Sequence, residues 1–175
     1  RDLTATLKVY DVNSKLIREE SREIMSIARE PARVFEAVAG PAFVALELKG
    51  DFEADNFYCI PAKGAKYNWK KSDWWGIPAF EYANLDFVSA LPEAKVQLEL
   101  TPTEYGCDVK LTNLSDVIAY QNILKAKDRT GDLIPGVFWS DNFFTLVPGQ
   151  SKVVTCKLPK GCETAKIELA GWNAK

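Results

Sequence analysis

Histidine is absent from all 175 residues of the chain. That excludes every mechanism built on an imidazole base, and it makes a zinc centre hard to assemble, because four cysteines would have to supply it alone. The cysteines, at 59, 107, 156 and 162, show no CxxC spacing. No apolar run reaches the roughly 18 residues a membrane span needs, and no charged-then-apolar leader opens the chain, so neither membrane insertion nor an export signal of its own is expected. Charge of one sign is lacking too: 22 Lys and Arg stand interspersed with 24 Asp and Glu, which leaves no electrostatic footprint for nucleic acid or an acidic membrane surface. No cofactor and no metal follow from this composition. What is present, with 47% hydrophobic residues and no low-complexity stretch, is material for one generous core or two small ones.

The apolar pattern has the period of strands. Leu3, Ala5, Leu7 and Val9 alternate with Thr4, Thr6, Lys8 and Tyr10, the signature of a half-buried strand. Asp11 to Ser14 turns the chain into a second extended segment, Leu16 to Ile27. Arg29 to Gly40 fits a short helix or a strand and is read as strand; Phe43–Lys49 and Asp55–Pro61 are clearer. Residues 1–70 therefore form a β-sandwich domain, expected to be incomplete at its N-terminus, with an unpaired edge beside residues 3–10. Residues 62–92 change character, with three of the five tryptophans set among lysines; the boundary is placed so that 71–92 is a tryptophan-rich connector. A Gly/Ser-rich linker would not carry such side chains. Asn84 to Leu91 has room for one or two helical turns.

Residues 93–175 form the second sandwich. Val96, Leu98 and Leu100 alternate with Lys95, Gln97 and Glu99, Tyr105-Gly106 turns, and Cys107–Asn113 follows. Asp116–Lys127 has a mixed period and is read as strand because β elements flank it. Val137–Val147, rich in aromatics, reads as a strand closed by Pro148-Gly149 and returned by Lys152–Leu158: Pro148 presets the first central angle of a type II turn, and Gly149 supplies the positive φ of the second. The last strand is Ala165–Asn173. The fold class is all-β, two immunoglobulin-like antiparallel sandwiches. Cys107 and Cys156 fall on the apolar phase of their strands, either as buried free thiols or as a cross-sheet disulfide.

Ordered along the chain are Asn56-Phe57-Tyr58, the run from Trp69 to Trp75, Tyr82-Ala83-Asn84-Leu85 with Leu91-Pro92, Trp139-Ser140-Asp141-Asn142-Phe143, Pro148-Gly149 and Gly171-Trp172-Asn173. In that order they resemble the carboxy-terminal immunoglobulin-like domains of glycoside hydrolase family 2, of the exo-β-D-glucosaminidase type, with the β-mannosidase and mannosylglycoprotein endo-β-mannosidase branch close behind. Cys59 stands where an aromatic is usual and Asn84 where an aspartate is; neither alters the fold reading. The resemblance implies a non-catalytic region of a larger, exported retaining glycosidase, whose catalytic (β/α)8 barrel and other domains are its partners.

Within the chain no acid pair is assigned catalysis. Glu19 and Glu20, or Asp51, Glu53 and Asp55, are accounted for by polar strand faces and turns, and retaining chemistry needs two carboxyls about 5 Å apart in a cleft. Tyr67, Trp69, Trp74 and Trp75 form the one constellation able to hold a sugar, by stacking; packing between domains is the plainer account of them and is favoured. Trp139, Asp141, Asn142, Phe143, Pro148, Gly149, Gly171, Trp172 and Asn173 are expected to be structural. Asp141 and Asn142 are too few for calcium. A free-standing carbohydrate-binding module and a structural surface module remain as other classes, the latter without the tandem repeats that would mark it.

Overall fold

The structure is a computed structural model and describes residues 2–25, 33–162 and 164–174. The chain divides into two compact units, one ending at Ala90 and one beginning at Leu91.

In the first unit, β1 (Asp2–Tyr10), β2 (Leu16–Met25), β3 (Ala42–Gly50) and β4 (Ala54–Ile60) form one antiparallel sheet in the order β2-β1-β3-β4. β1 alternates as its sequence requires: Leu3, Ala5, Leu7 and Val9 are buried, while Lys8 on the other face meets Glu47 at 3.2 Å. The β1-β2 turn is built by Asp11, whose Oδ1 accepts the N–H groups of Asn13 and Lys15, both at 2.9 Å. β1 is an interior strand, so the open edge expected beside residues 3–10 is not there: β2 and β3 flank it on both sides.

Residues 33–41 are not a strand, which corrects the extended reading of that stretch; residues 26–32 lie outside the described residues. Phe35 and Val38 instead fold over the sheet and pack on Leu7, Val9, Ala42 and Val44. Two apolar side chains on irregular backbone are enough to cover a small core, and Pro41 has no N–H to offer a ladder. Phe43, fully buried, is held between Phe57 at 5.9 Å and Phe87 at 5.1 Å. Phe87 belongs to α1 (Asp86–Ser89), the short helix expected in 84–91, started by Asn84 Oδ1 accepting the N–H of Asp86 at 2.8 Å. β5 (Lys66–Tyr67) and β6 (Ala79–Glu81) form a separate two-stranded ladder.

The second unit has β7 (Val96–Thr103), β8 (Gly106–Asn113), β9 (Ala119–Lys127), β10 (Phe138–Trp139), β11 (Phe144–Leu146), β12 (Ser151–Lys157) and β13 (Lys166–Ala170). They form two antiparallel sheets, β10-β12-β8-β7 and β11-β9-β13. Val96, Cys107, Val109, Leu111, Val154 and Cys156 from the first sheet and Ala119, Leu124, Phe144 and Leu146 from the second make one core, as an immunoglobulin-like sandwich requires.

Three expectations change here. The aromatic stretch 137–147 is not one strand returning on its successor: β10 pairs with β12, whereas β11 has crossed to the other sheet and pairs with β9. The Pro148-Gly149 turn is as expected, with Gly149 at φ +74° and Gln150 N–H donating to Val147 O at 3.0 Å, but it joins two sheets and makes no hairpin. The mixed period of 116–127 has a cause in β9, where Gln121 adopts φ +51° and Phe144↔Asn122 is followed by Leu146↔Ala119. One extra residue in β9 at this bulge shifts the buried phase, from Ile118 and Ala119 before it to Asn122, Leu124 and Ala126 after. Finally, β13 stops at Ala170, short of the expected Asn173.

Candidate functional site

The first unit carries a small aromatic hairpin. Lys66 pairs with Glu81 and Tyr67 with Ala79, and Asn68 N–H donates to Pro78 O at 2.7 Å. A single 3-10 turn, Trp69–Lys71, follows and is closed by Ser72 Oγ donating to Trp69 O at 2.7 Å. Asp73 shapes the tip: its Oδ1 accepts Trp75 N–H at 2.9 Å and Gly76 N–H at 3.1 Å. Local hydrogen bonds thus fix the backbone, and the rings are displayed. Tyr67 and Trp69 meet at 5.5 Å, Trp74 and Trp75 at 3.8 Å, and all four sequence-predicted residues are exposed, with Phe80 and Tyr82 added to them. Phe80 and Tyr82 sit in the same aromatic run but were not part of the expected sugar-stacking set.

Two carboxylates, Glu20 and Glu168, are held charged by neighbouring cations. Glu20 is held below its ordinary value by the hydrogen bond from Arg18, helped by Arg22. Glu168 is lowered to about 2 by hydrogen bonds from Lys127 at 2.6 Å and Lys166 at 2.9 Å. A general acid needs its pKa raised toward neutrality, the reverse of both. Among the described residues no group of three or more His, Cys, Asp or Glu is placed to hold a metal.

In the second unit the singled-out polar residues bond to backbone. Asn142 accepts Leu124 N–H at 2.8 Å and donates to Leu124 O at 3.1 Å, so its amide stands in for one ladder partner where the chain crosses between sheets. Asp141 pairs with Lys152 at 2.6 Å, and Trp139 packs against the core. Phe143 has φ +61° and an exposed ring. Asn173 accepts Tyr120 N–H at 2.8 Å and donates to Pro92 O at 2.7 Å and Ile118 O at 2.8 Å, tying the end of the unit to its beginning. Trp172 N–H donates to Tyr120 O and its ring meets Tyr120 edge-on at 6.4 Å. A Cβ on Gly171 would lie 2.9 Å from that of Ala174, so glycine permits this close passage.

Two more asparagines do the same work and were missed. Asn113, 1% exposed, donates to Val117 O at 2.8 Å and to Leu146 O at 3.0 Å and Val147 O at 3.3 Å, while its Oδ1 accepts Ser115 N–H and Oγ–H. Asn122, fully buried, donates to Ala119 O and Phe144 O and closes the bulge. The signal for Asn113 was in plain view: it continues the buried phase of Cys107, Val109 and Leu111. A polar residue on an apolar phase must find partners. Cys107 and Cys156 are free thiols directly opposite each other on β8 and β12, neighbours within one sheet where a cross-sheet disulfide was an alternative. Burial pushes both up, Cys156 to about 12 with Cys107 beside it.

These features define the class: an all-β, immunoglobulin-like protein whose polar side chains secure the fold and whose unsatisfied surface is aromatic. Residues 74–174 match the exo-beta-D-glucosaminidase Ig-fold domain, and the chain belongs to that family. It is 30% identical over 139 residues to an exo-beta-D-glucosaminidase of Arthroderma benhamiae, covering 77% of this chain and 16% of that protein. With the exo-beta-D-glucosaminidase of Amycolatopsis orientalis it shares 26% identity over 193 aligned positions, covering 98% and 18%. The solved structure of Amycolatopsis orientalis exo-chitosanase CsxA superposes with a TM-score of 0.84 at 22% identity, over 99% of this chain and 23% of the other. The chain thus spans about a sixth to a quarter of the proteins it matches.

Proposed function

We propose that this chain is the non-catalytic carboxy-terminal β-sandwich region of a larger, exported glycosidase of the exo-β-D-glucosaminidase type, where it buttresses a catalytic (β/α)8 barrel that the chain does not contain. The observation that carries the reading is the family match across 74–174 in proteins four to six times longer, of which this chain covers 16–23%. The residues support it: the asparagines that catalysis or sugar recognition could have used are committed to backbone. Among the described residues no helix is long and apolar enough to cross a membrane.

The test is an immunoblot of the source organism with antibodies against this chain, followed by an assay of the captured protein on a chromogenic β-D-glucosaminide. A band several times heavier than 19.5 kDa that hydrolyses the substrate, with this chain alone inert, is expected. A band at the chain's own mass overturns the reading. A second reading, a carbohydrate-binding module, is favoured by the exposure of Tyr67, Trp69, Trp74 and Trp75. It requires a saturable tryptophan fluorescence change with amino-sugar oligosaccharides.

A further inference from the structure

The hairpin of residues 66–81 is what the fold leaves unexplained. Tyr67, Trp69, Trp74, Trp75, Phe80 and Tyr82 are exposed by 47, 66, 81, 79, 74 and 82%. At 150–250 Å² per ring, such exposure leaves roughly 900 Å² of aromatic residue surface in water. Two pairs of these rings are in contact, Tyr67 with Trp69 and Trp74 with Trp75, and each side of a stable protein interface contributes ~800 Å². The hairpin is also pre-shaped, by the Lys66–Glu81 ion pair, the 3-10 turn and the Asp73 loop, so little ordering cost would attend binding.

Charge decides between occupants. Lys63, Lys66, Lys70 and Lys71 are all exposed on or beside the hairpin, against Asp73 and Glu81. Lys66 and Glu81 pair, which leaves Lys63, Lys70 and Lys71 against Asp73 alone, a positive balance beside the rings. A chain of glucosamine units is itself a polycation while its amines are protonated, and it would meet like charge. A protein surface with an apolar centre and carboxylates at its margin would meet opposite charge, the arrangement that steers and orients association.

We propose that this hairpin is a docking element, with Trp74 and Trp75 as its anchors, for an apolar, carboxylate-rimmed surface on the remainder of the same parent polypeptide. The proposal rests on the domain reading above, in which most of the parent lies outside this chain. Large, rigid aromatic side chains at the centre of a patch are the usual bearers of interface energy.

The experiment is hydroxyl-radical footprinting of the full-length parent, native and urea-unfolded, joined to zero-length carbodiimide cross-linking. Docking is expected to slow oxidation of Trp74 and Trp75 in the native parent at least fivefold relative to the unfolded one, and to cross-link Lys70 or Lys71 to carboxylates outside residues 1–175. Oxidation of both at nearly the unfolded rate overturns the proposal, as does protection that arises only when chito-oligosaccharide is added, which would make the hairpin a sugar site. The two failures separate: a heavy immunoblot band with unprotected tryptophans removes the docking proposal alone, whereas a band at 19.5 kDa removes both.

Discussion

Replacing Asn113 by alanine should cost the second unit more stability than any other single polar change. The amide Nδ2 has two hydrogens and faces three carbonyls, Val117 O at 2.8 Å, Leu146 O at 3.0 Å and Val147 O at 3.3 Å, so one hydrogen is shared. Leu146 lies in the other sheet, so the same side chain ties β8 to β11 across the sandwich. Val147 O keeps the N–H of Gln150, but Val117 O and Leu146 O lose this donor. Each buried bond contributes about 1 kcal/mol net, so losing the bonds to Val117 O and Leu146 O and the one from Ser115 N–H gives about 3 kcal/mol for the substitution. For a unit of this size that is a fall of well over 10 °C in Tm, since 1 kcal/mol shifts a small domain by about 4–8 °C. Asn113→Asp is the sharper arm: it keeps the shape, removes the donor and sets a negative charge against three carbonyl oxygens. It should be worse than alanine at pH 7. Differential scanning calorimetry of the two variants is the assay, and a loss below about 1 kcal/mol for Asn113→Ala would refute the cross-sheet tie.

Other consequences can be checked on the same material. Phe143→Gly should raise Tm by about 3–8 °C, because φ +61° costs a Cβ-bearing residue about 1 kcal/mol and the ring is 60% exposed; an unchanged or lower Tm counts against strain there. Cys107 and Cys156 should stay unreactive toward Ellman's reagent in the native protein at pH 8, and react after denaturation, since burial pushes both thiols up; reaction of more than two of the four cysteines in the native state would contradict this. Glu168 is lowered from 4.5 to about 2 by Lys127 and Lys166, so its contribution is present above the unfolded value and lost as pH falls from about 4.5 through about 2. Glu168→Gln should therefore flatten the fall of Tm with acid in that window, and an acid limb identical to the unsubstituted chain's argues against the ion pairs.

The parts of the fold legible in sequence were those governed by local geometry. Alternation at Leu3 to Val9 and at Val96 to Leu100 marks strands because successive Cβ atoms point to opposite faces, and the buried face follows directly. The Pro148-Gly149 turn could be read because proline and glycine each set one backbone angle. Asn84 ahead of Asp86 is local in the same sense. The candidate site was half legible: exposed tryptophans in 69–75 stand out by composition, yet whether a ring is displayed or packed depends on what folds over it.

By itself, then, the sequence determined an all-β chain, the faces of its strands, its turns and the presence of an aromatic run. Which strand lies beside which was decided only by the tertiary structure. A pattern of period two says which side of a strand is buried and nothing about its neighbour, so the 137–147 stretch read as one strand although it serves both sheets. The bulge at Gln121, Phe35 and Val38 as a cover, and four asparagines acting as surrogate backbone depend on groups far apart in sequence meeting in space. An amide side chain offers the same donor and acceptor as a peptide unit, and only the assembled sheets supply the unpaired peptide groups that it completes.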